Sequence, residues 1–262
     1  MDLAKAIPLF SGSSGNSYFI GAKGEGVLID AGRNCKQLEL ALEAASVDFS
    51  SIGAVFITHE HTDHCSALRV LANKHKLDIY ASEGTLNALS GKLYPNARVH
   101  VIEKETALGN MLIRRIDTPH DAAESCCYSV TTADGKTALI ATDMGFVTPE
   151  VRAAACGSDF VVLESNHDLE MLRLGPYPYI LKKRILSDRG HLSNDACSVE
   201  LAQLVSSGAC RLMLGHLSEQ NNTPQIALRA SVAELERAGM KFRRDYTLDI
   251  APKEPTGLSV IY

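Results

Sequence analysis

The sequence lacks the features that mark secreted, membrane-spanning and zinc-ribbon proteins. Its seven cysteines are an odd number and form no CxxC pair, so we expect neither a disulfide framework nor a structural zinc site of that type. No stretch approaches the roughly 18 apolar residues that a membrane-spanning helix requires, and the N-terminal segment has no apolar core of the signal-peptide type. These absences predict a reduced, cytoplasmic protein that has no membrane partner.

An excess of positive charge is also missing, because 26 Lys and Arg face 31 Asp and Glu and the net charge is −5. A chain with this balance has no overall attraction for nucleic acid, so such a partner would have to be bound by a local basic patch or by metal ions. Low-complexity linkers and repeats of fixed period are absent as well. With 262 residues and 45% hydrophobic content, the chain is expected to form a single domain over residues 1–262.

The sequence does contain short apolar segments that end in a polar residue able to bind a ligand. They are GVLID, AVFITHEH, MLIRRIDTPHD, TALIATD, FVVLESNHD and RLMLGH. In sheets that are combined with helices, functional sites gather at the carboxyl ends of the strands. We therefore expect the ends of these six strands to bring their polar residues to one edge.

Helices are predicted where apolar residues recur at helical spacing. The predicted ranges are 36–45, 65–75, 193–208 and 223–239, with Ser193 and Thr223 as candidate N-caps. Between residues 98 and 142, strand-like segments follow one another without a helix, and Asp134 and Gly135 predict a hairpin turn. A (β/α)₈ barrel would need a helix after each of these strands, so the barrel is the less favoured fold.

The segment HEHTDH places three histidines and two acidic residues within six positions. In an extended chain, residues i and i+2 point to the same side, so His59 and His61 can bind one metal ion. Asp63 and His64 are offset from that pair, which favours a second ion nearby. The helical HExxH protease signature does not apply, because its second histidine position is occupied by Asp63.

HEHTDH resembles the HxHxDH signature of the metallo-β-lactamase superfamily. The remaining parts of that pattern follow in order, as Asp30 in LIDAG, His120 in TPHD, Asp143 in IATD and His216 in LGHLS. The strings SGSSGNS, LESNHD, SDRGHLSND and GHLSEQNNTP resemble the YycJ (also called WalJ) branch, bacterial cytoplasmic proteins described as metal-dependent exonucleases. The resemblance extends over almost the whole chain.

The resemblance implies an α/β fold, the four-layer αββα sandwich in which two mixed β-sheets are flanked by helices. It also implies two divalent metal ions per chain, which could be zinc, manganese or iron. The implied ligands are His59, His61 and His120 for the first ion, Asp63, His64 and His216 for the second, and Asp143 as a bridge. Asp30 is expected to orient the histidine loop rather than to bind metal.

Metal ions of this kind produce hydroxide near neutral pH, so the implied nucleophile is a metal-bridging hydroxide. Asp63 is the candidate for orienting it, and His191 is the candidate proton donor or phosphate contact. A helix-entry histidine bonded to nearby backbone is the structural alternative for His191. Further candidates for substrate contact or for support of the ligands are Ser13, Ser14, Gly15, Asn16, Asn166, His167 and Arg189.

These observations favour a two-metal-dependent phosphodiesterase that acts on nucleic acid in the manner of an exonuclease. A hydrolase of a small phosphodiester, a cyclic nucleotide or a thioester is the first alternative. A regulatory protein that retains metal without turnover is the second. A homo-oligomer is compatible with each of them.

Overall fold

The structure is a computed structural model and describes residues 3–262. These residues form two seven-stranded sheets. The first sheet contains β1 (Lys5–Phe10), β2 (Ser17–Ala22), β3 (Glu25–Ile29), β4 (Ile52–Phe56), β5 (Asp78–Ala81), β6 (Val99–Val101) and β14 (Val260–Ile261). The second sheet contains β7 (Glu105–Leu108), β8 (Met111–Asp117), β9 (Cys126–Thr131), β10 (Thr137–Ala141), β11 (Phe160–Glu164), β12 (Arg211–Gly215) and β13 (Thr247–Ile250).

Both sheets are mixed. The strand order of the first is β14-β1-β2-β3-β4-β5-β6, with β1, β2 and β3 antiparallel and β3 to β6 parallel. The order of the second is β13-β12-β11-β10-β9-β8-β7, with an antiparallel β7–β8 pair and parallel β11, β12 and β13. Two mixed sheets flanked by helices are the arrangement predicted from the sequence, and that prediction is confirmed.

Nine α-helices and a short 3₁₀ helix (Phe49–Ser51) lie within the described residues. The α-helices are α1 (Cys35–Ala44), α2 (Thr62–Cys65), α3 (Leu68–His75), α4 (Glu83–Leu89), α5 (Pro149–Cys156), α6 (Leu169–Leu174), α7 (Tyr179–Ile185), α8 (Asn194–Ser206) and α9 (Pro224–Arg237). Ser193 and Thr223 cap α8 and α9 as predicted, since each side-chain oxygen accepts a hydrogen bond from a backbone N–H of the first turn. No helix of residues 3–262 combines the length and the apolar character that crossing a bilayer demands.

Contacts divide the chain into two compact units. The first unit contains the residues up to Ile116, Ala122–Ala138 and Pro252–Tyr262, and the second contains Asp117–Asp121 and Leu139–Ala251. In the first unit, α1 and α3 bury Leu38, Leu42 and Leu71 in one apolar cluster with side chains of β1, β3 and β4. In the second unit, every residue of β11 is buried.

The predicted meander is present, because β6 to β10 follow one another with no helix between them. The turn predicted at Asp134 and Gly135 joins β9 to β10. Gly135 donates its backbone N–H to the Thr132 carbonyl at 2.8 Å and adopts a φ of 82°. A left-handed φ of this kind is the reason that glycine is favoured at this position.

The helix predicted over residues 65–75 is instead two short helices, α2 and α3. The backbone around the break bonds to the loop after β3: Ala67 donates to the Ala31 carbonyl at 2.9 Å, and His64 accepts from Ala31 at 2.8 Å. These two bonds replace the i→i−4 pattern that a continuous helix would need. The break therefore follows from tertiary contacts, which the apolar spacing does not record.

Candidate metal centre

Three residues of the sequence-predicted site adopt a left-handed backbone just after a strand. Asp30 follows β3, Asp143 follows β10 and His216 follows β12, and their φ angles are 63°, 61° and 53°. This conformation costs on the order of 1–3 kcal/mol for a non-glycine residue and concentrates where a side chain must be aimed at a site. The first unit contains one of these three site residues, and the second contains two.

In the first unit, the paired histidines of HEHTDH face each other. His59 Nε2 lies 3.1 Å from His61 Nδ1. Two nitrogens that bind one tetrahedral zinc ion, each at about 2.0–2.1 Å, would be separated by about 3.3 Å. The spacing therefore fits two ligands of a common ion, as expected from their i, i+2 positions. His59 is buried and His61 is half-buried.

His64 is held by a buried carboxylate. Its Nδ1 lies 2.8 Å from Asp30 Oδ2, and Asp30 Oδ1 accepts the backbone N–H of Thr58 at 2.8 Å. Burial raises the pKa of Asp30, and the interactions with His64 and Thr58 oppose that rise. Because the carboxylate accepts the proton on Nδ1, the lone pair of the neutral ring is placed on Nε2, the tautomer that a metal-binding histidine needs.

The carboxylate of Asp63 lies near the other nitrogen of the His64 ring, Nε2. Its Oδ2 lies 3.4 Å from His64 Nε2, and its backbone carbonyl accepts the N–H of Asn16 at 2.8 Å. Asn16 in turn accepts a bond from the N–H of Gly32 at 2.8 Å. A Cβ added to Gly32 would lie 2.1 Å from the Asp63 carbonyl oxygen, so glycine is required for this close approach.

The loop SGSSGN supports these donors through Asn16. The side chain of Asn16 is buried, and its Nδ2 lies 3.1 Å from His64 Nε2. The Gly15 amide donates to the Gly12 carbonyl at 3.0 Å, so it closes a turn. Ser13 is exposed and Ser14 is half-buried. Substrate contact by Ser13, Ser14 and Gly15 stays a prediction.

The second unit contains a compact group of four donors. Asp143, Glu164, His191 and His216 each offer one donor atom, and these atoms lie within 4.8 Å of one another. His216 Nδ1 is 3.2 Å from Asp143 Oδ1, and His191 Nδ1 is 3.6 Å from the same oxygen. His191 is the most accessible of the four, with 16% of its side chain exposed. The structure thus brings three sequence-predicted site residues together with one that was not predicted.

Glu164 is the residue that the sequence analysis missed. It is fully buried at the end of β11, and its Oε1 accepts from His191 Nδ1 and from His216 Nδ1, both at 2.8 Å. Its Oε2 accepts the backbone N–H groups of Met144 at 3.1 Å and Leu192 at 3.0 Å. Burial alone would raise the pKa of Glu164, but the interactions with His191 and His216 hold it at about 2. The available signal was its place as the last residue of the apolar segment FVVLE.

His120 is held by the segment that precedes His191. Its Nδ1 donates to the Gly190 carbonyl at 3.0 Å. Arg189 donates to the His120 carbonyl from Nε and Nη2, at 3.0 and 2.8 Å. Burial lowers the pKa of His120, so the ring is neutral and able to bind metal at pH 7. Arg189, a candidate for substrate contact, is therefore placed beside a proposed ligand.

Asn166 and His167 are buried beside these donors. Asn166 Nδ2 donates to the His216 carbonyl at 2.9 Å, so it supports the loop that carries His216. His167 is 1% exposed, and within residues 3–262 neither of its ring nitrogens has a hydrogen-bond partner. Burial lowers the pKa of His167 to about 4, so this ring is neutral at pH 7. Substrate contact by either residue stays a prediction.

A further donor group in the first unit consists of Cys35, Glu39 and His75. Lys74 Nζ bonds both carboxylate oxygens of Glu39, at 2.7 and 2.9 Å. An ammonium group therefore already occupies the position from which a cation would be bound. This arrangement is typical of an ion pair rather than of a metal site.

The donor sets of the two units fit divalent metal ions. Four buried histidines have Nδ1 bonded to an oxygen, which leaves Nε2 as the ligand atom. The oxygens belong to Thr58 for His59, to Asp30 for His64, to Gly190 for His120 and to Glu164 for His216. Mixed imidazole and carboxylate donors suit zinc, manganese and iron. Each unit therefore has donor chemistry that suits metal binding.

Comparisons with known proteins agree with this chemistry. A family model described as a beta-lactamase superfamily domain matches residues 26–217. Exodeoxyribonuclease YycJ of Bacillus anthracis is 35% identical over 259 residues, covering 97% of each chain. Exodeoxyribonuclease WalJ of Streptococcus pneumoniae serotype 2 is 34% identical over 260 residues, covering 97% of this chain and 96% of that protein.

Among solved structures, the metallo-β-lactamase fold protein YhfI from Bacillus subtilis has a TM-score of 0.73 and 16% identity, and the match covers 99% of both chains. At this identity the likeness concerns the fold, and it agrees with the two mixed sheets described above. The full-length similarity to YycJ and WalJ is much closer. The chain therefore belongs to the metallo-β-lactamase fold group of the beta-lactamase superfamily and, within it, to the family that includes YycJ and WalJ.

Proposed function

We propose that this protein is a metal-dependent phosphodiesterase that removes nucleotides from the end of a DNA strand. The observation that carries the proposal is the group formed by Asp143, Glu164, His191 and His216, in which a buried acid orients two histidines. The full-length similarity to two proteins named exodeoxyribonucleases supports a DNA substrate.

The proposed cofactor is a pair of divalent metal ions, either zinc, manganese or iron. The proposed ligands are His59, His61 and His120 for one ion, Asp63, His64 and His216 for the other, and Asp143 for both. This assignment follows the family resemblance, and the donor chemistry of each unit supports it. When bound, such ions lower the pKa of water and stabilise negative charge on a phosphoryl oxygen.

The side chains of the protein have distinct roles in this proposal. Asp63 is half-buried and hydrogen-bonds the Asn16 loop, so its carboxylate is held in place to orient the attacking water. His191 has a partly exposed side chain and bonds Glu164 through Nδ1, which leaves Nε2 to donate a proton to the leaving oxygen of the phosphodiester. Glu164 fixes the orientation of that ring by accepting the hydrogen bond from Nδ1 at 2.8 Å.

The remaining expectations belong to the same proposal. We propose that residues 1–262 form one catalytic domain, that the protein is located in the cytoplasm, and that it has no membrane partner. A homo-oligomer is compatible with it.

The direct test is hydrolysis by the metal-loaded protein. End-labelled DNA incubated with protein and Mn²⁺ or Zn²⁺ should yield mononucleotides, and a chelator should stop the reaction. Asp63→Ala should lower kcat by a factor of at least 10² while the protein keeps its thermal unfolding temperature. His100→Ala is the matched control, since His100 is 45% exposed and bonds only the surface residue Asp78 among its described polar contacts.

The alternatives are separated by the same preparation. Turnover of a small chromogenic phosphodiester or a thioester, without any degradation of oligonucleotides, would replace the nuclease assignment by a small-molecule hydrolase. Full metal occupancy without turnover on any of these substrates would replace it by a metal-retaining regulatory protein.

A further inference from the structure

The second unit carries an exposed apolar surface beside the proposed site. Leu174 at the end of α6 is 80% exposed, and Tyr179 and Ile180 at the start of α7 are 79% and 81% exposed. The loop that joins these helices, GPYP, also contributes exposed prolines. Large apolar side chains that are exposed this far and lie close in the chain mark an interaction surface. We call Leu169–Ile185, which contains both helices and their loop, the α6–α7 hairpin.

The charge of this region is opposite to that of the whole chain. Residues 169–191 contain five basic and two acidic side chains, a net charge of +3, whereas the chain has a net charge of −5. Lys183 lies four positions after Tyr179, so the two side chains lie on the same side of α7. Both are exposed. An aromatic ring beside a cation is the combination with which proteins hold single-stranded nucleic acid.

Polar contacts hold the two helices of the α6–α7 hairpin together and connect the hairpin to the loop of His120. Arg184 forms an ion pair with Asp121, the residue after His120, and Lys182 Nζ bonds the Arg173 carbonyl at 2.7 Å, which joins the two helices. The chain after α7 packs against the loop that follows Asp143, since a Cβ on Gly145 would lie 2.2 Å from the Asp188 carbonyl oxygen.

His191 lies at the end of this surface. Its backbone N–H donates to the carbonyl of Ile185, the last residue of α7, at 3.0 Å. From Tyr179 to Ile185 the helix advances by about 9 Å at 1.5 Å per residue. A strand lying along α7 would therefore have its end at the proposed proton donor.

We propose that the α6–α7 hairpin binds the single-stranded DNA that leads into the site, with a base stacked on Tyr179 and a phosphate paired with Lys183. This inference rests on the proposed function and deepens it, because it specifies an unpaired strand as the form of DNA that is bound. A base can stack on Tyr179 only when it is not paired in a duplex. A second copy of the chain is a poorer occupant, because a symmetric contact would place two regions of like charge together.

The experiment measures binding rather than turnover. A nuclease-resistant phosphorothioate single strand of twelve nucleotides, labelled at one end, is titrated with the full-length, metal-loaded protein, and anisotropy gives Kd. Tyr179→Ala should raise Kd by about 5- to 150-fold, the range that corresponds to the loss of one stacked base. Lys183→Gln should reduce the slope of log Kd against log salt by about 0.7, the value for one phosphate contact on a single strand.

Two matched variants serve as controls. Phe242→Ala removes another exposed aromatic ring, 52% exposed, and Lys36→Gln removes an exposed lysine of α1. Neither should change Kd or its salt dependence. Because all four side chains are exposed, each variant should unfold at the wild-type temperature.

Several results would overturn the proposal. They are an unchanged Kd in Tyr179→Ala, an equal loss in Phe242→Ala, and a wild-type dimer in sedimentation that Tyr179→Ala converts to monomer. The proposed catalytic function is judged separately. Binding that depends on Tyr179 without any metal-dependent hydrolysis would support this surface and refute the nuclease activity. Metal-dependent hydrolysis with a Kd that does not depend on Tyr179 would support the nuclease activity and refute the proposed binding surface.

Discussion

Replacement of Glu164 by glutamine should damage both stability and metal binding, although the two side chains have almost the same shape. The carboxylate accepts four hydrogen bonds, two at each oxygen, from the rings of His191 and His216 and from the N–H groups of Met144 and Leu192. An amide can present its oxygen to only one of these pairs. Whichever way it is oriented, two buried donors lose their acceptor.

The magnitude follows from that number of lost bonds. Each buried donor left unsatisfied costs about 1–3 kcal/mol, so Glu164→Gln should destabilise the metal-free protein by about 2–6 kcal/mol. At roughly 2–4 °C per kcal/mol for a chain of this size, Tm should fall by about 4 °C or more. The proposed ligand His216 also loses the carboxylate that orients it, which should weaken metal binding by about 10- to 100-fold.

Calorimetry of the chelator-treated protein measures the first effect, and competition with a metal chelator measures the second. The control is Glu200→Gln, because Glu200 is also a carboxylate of the second unit but pairs with the partly exposed Arg152. That change should cost no more than about 1 kcal/mol and leave the metal affinity unchanged. If Glu164→Gln matched Glu200→Gln in both measurements, Glu164 would not orient the two histidines.

Three further outcomes are expected. Asp30→Asn should weaken metal binding by about 10- to 100-fold, since His64 loses its carboxylate partner; titration against a chelator checks this, and an unchanged affinity contradicts it. His167 has a folded pKa of about 4 against 6.5 in the unfolded chain, so the stability it contributes is complete above pH 6.5 and is lost as the pH falls to 4. The loss is about 3 kcal/mol, and urea unfolding of His167→Gln without metal should show a flatter pH dependence than the wild type. Gly32→Ala should destabilise the protein and lower the rate of DNA hydrolysis, because its Cβ would meet the Asp63 carbonyl; wild-type Tm and rate would contradict this.

Much of the fold was predictable, because its signals are local. The caps at Ser193 and Thr223 and the turn at Gly135 depend on residues within a few positions of one another. The pair formed by His59 and His61 was predictable for the same reason, since extended backbone places i and i+2 on one side.

Other features depend on contacts between distant segments. The break between α2 and α3 arises because Ala31 bonds the backbone there, and the apolar spacing of residues 65–75 contains no trace of it. His167 was expected only as a residue near the site. Its burial and its shifted pKa follow from the packing around it.

The amino-acid sequence by itself determined which donors are available and that they follow strands, because both are properties of short segments read in order. The tertiary structure alone decided how those donors are held. Glu164 illustrates the difference: it bonds two histidines that lie 27 and 52 positions further along the chain. Only the packing of β11 and β12 and the loops after them brings those rings to one carboxylate, because hydrogen bonds act over about 3 Å in space whatever the separation in sequence.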